Sequence, residues 1–278
     1  MMEIGATLHH LQLFSPAPEP VARFYGKAYG MKVEADAAGW LCQAEGRRLV
    51  ISPGAVNQLG FAAFAFPHAE ALDAYRKQVA ARVSIGPNPS PLFEANAFAV
   101  TDPQGNRVVF GVTGIPAPES NADGAPPPAR LQHLAVRSTH PATLMAFYRD
   151  TLGFILSDRV EDGTGRVRAC FLRTDTEHHA LAVFDAPEIR HDHLSFETSG
   201  WTAVRDWADR LAALDMPIVW GVGRHGPGND VFFMIRDPDG NLAEISAELE
   251  VCAAGRTEGL WPHGERTLNQ WGMAIMRS

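Results

Sequence analysis

His133-Leu134-Ala135-Val136, followed by Phe147-Tyr148 and Leu152-Gly153-Phe154, repeats a pattern met earlier as His10-Leu11-Gln12-Leu13, Phe24-Tyr25 and Tyr29-Gly30-Met31. His10 and His133, Phe24 and Phe147, and Gly30 and Gly153 are each separated by 123 positions. Both copies close on one turn sequence, Asp102-Pro103-Gln104-Gly105-Asn106 and Asp237-Pro238-Asp239-Gly240-Asn241. A constant offset across several landmarks marks a duplicated unit. The copies differ in chemistry: His193 and Glu244 belong to the second, where the first offers Phe61 and Val109. The chain therefore reads as two domains of one architecture, one able to hold a metal and one not.

Outward from the repeat, Gly114 to Arg130 contains Pro116, Pro118, Gly124 and Pro126-Pro127-Pro128, a density of proline that blocks helix and ladder alike. The expected division is a first domain over 1–115, a linker over 116–129, a second domain over 130–250 and a tail over 251–278. Each half repeats strand, helix and further strands, giving four βαβββ-like modules and an α+β fold. In the second half, strands are expected at Leu131–Val136, Ala169–Arg173, Ala180–Phe184 and His193–Glu197. Pro141–Thr151 reads as a short helix ending at Gly153. Val204, Trp207, Leu211 and Leu214 recur at helical spacing within Ala203–Leu214, so this stripe belongs to the core. Val231–Ile235 and Leu242–Ser246 flank the Asp237 turn as a hairpin. Asp102 and Asp237 head their turns and read as fold geometry.

Composition narrows the function. The chain has 278 residues, 46% hydrophobic content and a net charge of −8. That charge disfavours a nucleic-acid partner. Cys42, Cys170 and Cys252 are far apart, without a Cys-x-x-Cys pair, which fits a reducing compartment. No signal peptide or membrane-length apolar run is visible, so a cytoplasmic protein is expected.

His133 and His193 each open a predicted strand, and Glu244 lies in the last strand of the fourth module. Modules three and four paired in one sheet-lined cup would bring them together. Two imidazoles and one carboxylate with open positions opposite suit a non-haem Fe(II) site, with Mn(II) the other ion of the same donor set.

Around these residues the chain resembles the type I extradiol ring-cleaving dioxygenases of the vicinal oxygen chelate superfamily. The matching segment is Gly223-Arg224-His225 followed by Asp237-Pro238-Asp239-Gly240-Asn241-Leu242-Ala243-Glu244. The resemblance implies His133, His193 and Glu244 as iron ligands, a small aromatic diol and O2 as substrates, and a homo-oligomer. It implies His179, at the head of the strand His179-Ala180-Leu181-Ala182, as the acid–base residue near the O2 position, with His178 the alternative if the register slips by one. It also implies His225, which sits in the Gly/Pro-rich loop Gly221–Gly228, as hydrogen-bond partner of a substrate oxygen. One departure stands out: Met234 lies nine positions after His225, where the family usually carries tyrosine. Met cannot donate a hydrogen bond, which leaves room for a metal-dependent reaction without O2. An aromatic-binding protein of the same fold is the third alternative. His10, without its triad partners, reads as structural, although some relatives draw one ligand from the first module, where His9-His10 stands. The tail carries Trp261 and Trp271, and is expected to fold over the cup's mouth or form an interface, with Arg266 facing an anionic substrate.

Overall fold

The computed structural model describes residues 3–37, 39–114 and 125–277. Most of the expected linker, 116–124, lies outside the described residues, as does Ile115. The first half runs β1 (Thr7–Ser15), α1 (Pro18–Tyr29), β2 (Lys32–Asp36), β3 (Gly39–Ala44), β4 (Arg47–Pro53), β5 (Gln58–Ala65), α2 (Ala69–Ala80), β6 (Gly86–Pro87), β7 (Phe98–Thr101) and β8 (Arg107–Gly111). The second runs β9 (Ala129–Ser138), α3 (Pro141–Ala146), β10 (Ile155–Glu161), β11 (Val167–Arg173), β12 (Leu181–Asp185), β13 (Arg190–Thr198), α4 (Trp201–Ala213), β14 (Trp220–Arg224), β15 (Val231–Arg236) and β16 (Leu242–Ala247). After these come β17 (Gly259–Pro262) and α5 (Glu265–Leu268). The mixed α+β fold is thus four βαβββ modules.

Two modules form each sheet, joined through their first strands. The strand order is β2-β3-β4-β1-β5-β8-β7-β6 in one sheet and β14-β15-β16-β13-β9-β12-β11-β10-β17 in the other. Local sequence explains the helices between. α1 has proline in its first turn, where a missing N–H costs nothing, and stops at Gly30 in the left-handed conformation, φ 63°. The expected helix over Pro141–Thr151 is α3 followed by a π-turn over Phe147–Thr151.

Strand periodicity places the two faces of the second sheet in different surroundings. Leu134, Leu194, Phe196, Phe233, Ile235, Ala243 and Ile245 join α1, α4 and the first sheet in one shared core. Tyr29 of α1 packs there against Phe196 and Trp207, with ring centroids at 4.8 and 5.7 Å. The alternate residues Ala135, Ala182, Phe184, Phe232, Met234 and Leu242 form a separate apolar cluster on the opposite face. Two hydrogen bonds cross between the halves reciprocally. Tyr25 Oη donates to Asp237 Oδ2 at 3.2 Å, and Tyr148 Oη donates to Asp102 Oδ2 at 3.1 Å. Both turn aspartates therefore also anchor the opposite copy's first helix.

Three expectations change. His133 and His193 lie inside β9 and β13 rather than opening them, because pairing begins at Ala129 and Arg190. The Gly-rich stretch at Gly221–Gly228 begins as strand, since β14 pairs with β15 despite its glycines. The tail is partly sheet: β17 adds a parallel edge strand beside β10.

Candidate metal centre

The site grows out of strand register. On antiparallel β9 and β13, Ser195 faces His133 and Ala135 faces His193. On parallel β13 and β16, Ser195 faces Glu244. His133 and Glu244 are thus diagonal to His193 on one face, within reach of long side chains. His133 Nε2 lies 3.3 Å from His193 Nε2. Glu244 Oε2 lies 3.5 Å from each of these nitrogens. All three residues are buried, with relative exposures of 2%, 4% and 0% for His133, His193 and Glu244.

The surrounding hydrogen bonds fix what these atoms can do. His133 Nδ1 meets Gln132 Oε1 at 2.6 Å, and His193 Nδ1 meets Asp192 Oδ1 at 2.7 Å. Both acceptors require the proton on Nδ1, which leaves the Nε2 lone pairs facing each other. Both Glu244 oxygens are buried with no donor at hydrogen-bond distance. Converging lone pairs and an unpartnered buried carboxylate are unfavourable unless a cation lies among them. The triangle of donor atoms has its corners about 2.0 Å from its centre, the range of metal–nitrogen and metal–oxygen bonds. Its residues fit a divalent metal. Burial alone raises the Glu244 pKa; protonation of His133, His225 or His193 opposes it and favours the ionised carboxylate.

The remaining predicted residues divide. His179 joins the cavity lined also by His133, His193, His225, Phe171 and Phe184. Its ring centroid is 4.4 Å from that of His133, and burial pushes its pKa well below the ordinary imidazole value. His178 turns away from the cavity, its Nε2 3.1 Å from Asp158 Oδ2. Neither lies in the strand expected for His179; both precede β12, which starts at Leu181. His225 follows β14, stacks on Phe232 with ring centroids 3.8 Å apart, and places Nδ1 2.5 Å from the Leu268 carbonyl. Its Nε2 is 3.7 Å from Glu244 Oε1. Met234 is cross-strand neighbour to Glu244 and fully buried. His10 is not brought to this site: it bonds Ser90 Oγ at 2.7 Å and packs against Phe61 and Phe93, which fill the corresponding cup of the first sheet.

Other residues of the site were not anticipated. Gln132 and Asp192 each precede a ligand candidate, and the pairs Gln132-His133 and Asp192-His193 offered a readable signal. Asp230, with both carboxylate oxygens buried and unpartnered, joins His225 and Glu244 in a second cluster whose donor atoms lie within 4.8 Å. The segment after β16 covers the cavity through Thr267, Leu268 and Arg277. Glycine makes this approach possible: a Cβ at Gly226 would meet the Thr267 carbonyl at 2.8 Å and Trp261 at 2.9 Å. Arg266 is exposed, so Arg277 is the tail cation at the cavity. The enclosed space is only about 20 Å³, room for one water. A wider groove of about 780 Å³ lies elsewhere, beside Arg47, Arg48 and Arg130. Among the described residues it holds no cluster of metal-ligating side chains.

Residues 130–245, which carry all three donors, match the Glyoxalase/Bleomycin resistance protein/Dioxygenase superfamily. This chain carries a domain of that superfamily. Metapyrocatechase 2 of Cupriavidus necator is 31% identical over 195 residues, covering 69% of this chain and 57% of the relative. The chain thus spans little more than half of that protein. The manganese-dependent 2,3-dihydroxybiphenyl 1,2-dioxygenase of Geobacillus genomosp. 3 is 26% identical over 115 residues, 40% of this chain and 36% of the relative. In fold, homoprotocatechuate 2,3-dioxygenase from Arthrobacter globiformis superposes with a TM-score of 0.78 at 21% identity, over 97% of this chain and 88% of the other. One of these relatives is named as manganese-dependent. No helix among the described residues is long and apolar enough to cross a membrane.

Proposed function

We propose that this chain is an extradiol dioxygenase that opens the ring of a small aromatic diol with O2, using Fe(II) held by His133, His193 and Glu244. The observation that carries the reading is the pair of Nδ1-tethered imidazoles aimed with Glu244 at one point. The relatives named metapyrocatechase and dihydroxybiphenyl dioxygenase support it. A metal held there by His133, His193 and Glu244 would supply Lewis-acid binding of the diol and of O2 and a route for electrons between them. Mn(II) is the alternative ion for the same donors.

The protein's own groups would then do three things. The cluster of Phe171, Phe184, Trp220 and Phe232 excludes water and offers an aromatic ring apolar walls. His179, favoured as the neutral base by its burial, takes a proton on the O2 side and returns it at a later step. His225, held by the Leu268 carbonyl, presents Nε2 to a substrate oxygen. Met234 supplies bulk without a hydrogen bond, which favours a substituted ring over plain catechol. Met234 is also the one observation that favours a second reading, a metal-dependent reaction without O2.

The test is anaerobic loading with Fe(II) or Mn(II), then aerobic addition of a panel of catechols. The expected result is O2 uptake matched by a yellow ring-fission product. Metal-loaded protein that consumes no O2 with any catechol would overturn the proposal and favour the second reading.

A further inference from the structure

The segment after α5 reaches the metal centre through one side chain. Arg277, 8% exposed, donates from Nη2 to Asp192 Oδ1 at 2.7 Å and from Nε to Asp192 Oδ2 at 3.1 Å. The same Oδ1 accepts from His193 Nδ1 at 2.7 Å. Arg137 Nε holds Oδ2 at 2.7 Å. Arg277 thus spans both oxygens and fixes the plane of the carboxylate that orients His193. Its guanidinium lies between two rings, 4.8 Å from the Phe184 centroid and 4.9 Å from that of Trp220. Nη1 donates to the Ile275 carbonyl at 2.6 Å, and Trp220 Nε1 donates to the Met273 carbonyl at 3.0 Å. The two bonds to Asp192 tie Arg277 to the site, and the Trp220 bond to Met273 ties the same segment to β14.

We infer that Arg277 is a positioning residue that couples docking of the segment 265–277 to metal binding, acting through Asp192 on His193. The inference rests on the metal reading proposed above. A cavity of about 20 Å³ cannot admit an aromatic ring, so part of its lining moves for substrate to enter, and the segment 265–277 supplies Thr267, Leu268 and Arg277 of that lining. When it moves, Asp192 loses its bidentate partner and keeps Arg137, and His193 is less firmly oriented. When it docks, the ligand is set. The coupling is reciprocal: if docking strengthens metal binding, metal strengthens docking by the same factor.

The test uses Mn(II) alone, with the free ion followed by electron paramagnetic resonance. Arg277→Ala is expected to weaken Mn(II) binding about 10–100-fold, the usual scale for loss of a group that supports a metal ligand. Arg277→Lys should recover part of this, keeping the charge and losing the two-point contact. In an Asp192→Asn background, Arg277→Ala should add less than about 3-fold, because the two act in series. The wild-type chain supplies an arm that needs no substitution: Mn(II) should slow amide hydrogen exchange across 265–277. Three results would overturn the inference alone: unchanged Mn(II) affinity in Arg277→Ala, an undiminished loss in the Asp192→Asn background, or exchange in 265–277 indifferent to Mn(II). Wild-type protein that binds neither Mn(II) nor Fe(II) would overturn the metal reading itself, and this inference with it.

Discussion

Replacing Glu244 with glutamine separates what this carboxylate does for the metal from what it costs the fold. Without metal, Glu244 is a fully buried charge whose two oxygens have no donor, 3.5 Å from two nitrogens that present lone pairs. Glutamine has the same size and brings an NH2 that can donate to His133 or His193 Nε2. Removing an unsatisfied buried charge in favour of a paired amide should stabilise the metal-free protein by on the order of 1–3 kcal/mol. With metal the ranking should reverse. A ligand at one hundred times its Kd adds about 2.7 kcal/mol of stability, and a glutamine oxygen without charge should forfeit most of that. The assay is urea unfolding of both proteins in chelator and in saturating Mn(II). The expected outcome is a crossing: Glu244→Gln the more stable in chelator, the wild type the more stable in Mn(II). If Glu244→Gln is the less stable in chelator and gains as much from Mn(II) as the wild type, the account of the triad is wrong.

Other expectations test the surrounding groups. His179→Ala should keep Mn(II) affinity while kcat falls by about 100-fold, the scale of general acid–base loss; the same collapse in His178→Ala with near-normal His179→Ala would transfer the role. Tyr25→Phe removes a buried hydrogen bond to Asp237 and should cost about 1.5 kcal/mol in urea unfolding, and a variant as stable as wild type would show that the contact between halves contributes nothing. Asp158 is held at about 2: burial works against this, but contacts with His178, Arg256 and Trp261 prevail. A carboxyl whose folded pKa lies below its unfolded value stabilises the native state above about pH 4 and loses that contribution as pH falls through its folded pKa. The stability gap between wild type and Asp158→Asn should therefore narrow from about pH 4 to pH 2; a gap constant over that range would refute the linkage.

The repeat made the modules legible because landmarks at a constant offset survive divergence in the residues between them. The triad was legible for the same reason, since His193 and Glu244 break the match between copies at positions whose strand parity was already set. What escaped the sequence depended on distant partners. The faces of His178 and His179 are decided by Asp158, some twenty positions earlier, and no local pattern announces that pairing. β14 was obscured by Gly221, which lies close against the β15 backbone with φ 96°, and by Gly223, whose small size admits Asn269 of a segment still to come. The tail's two tryptophans signalled packing but not its geometry: Trp261 donates to Asp158 while Trp271 stays half exposed beside Trp201. Arg266 and Arg277 were indistinguishable by type, and the choice between them came from Asp192.

The crossed tyrosine bonds set terms for how this chain can change. The first copy's cup is filled by Phe61 and Phe93, yet its α1 lends Tyr25 to the turn that leads into β16 and Glu244. Substitutions inside that filled cup are free to accumulate so long as volume is kept. Substitutions at Tyr25 on the buried face of α1 are not, because they reach the opposite copy's closing turn. A duplicated ancestor can thus shed the chemistry of one half and still be unable to shed the half itself. The spare copy persists as a mould against which the working copy sets its shape.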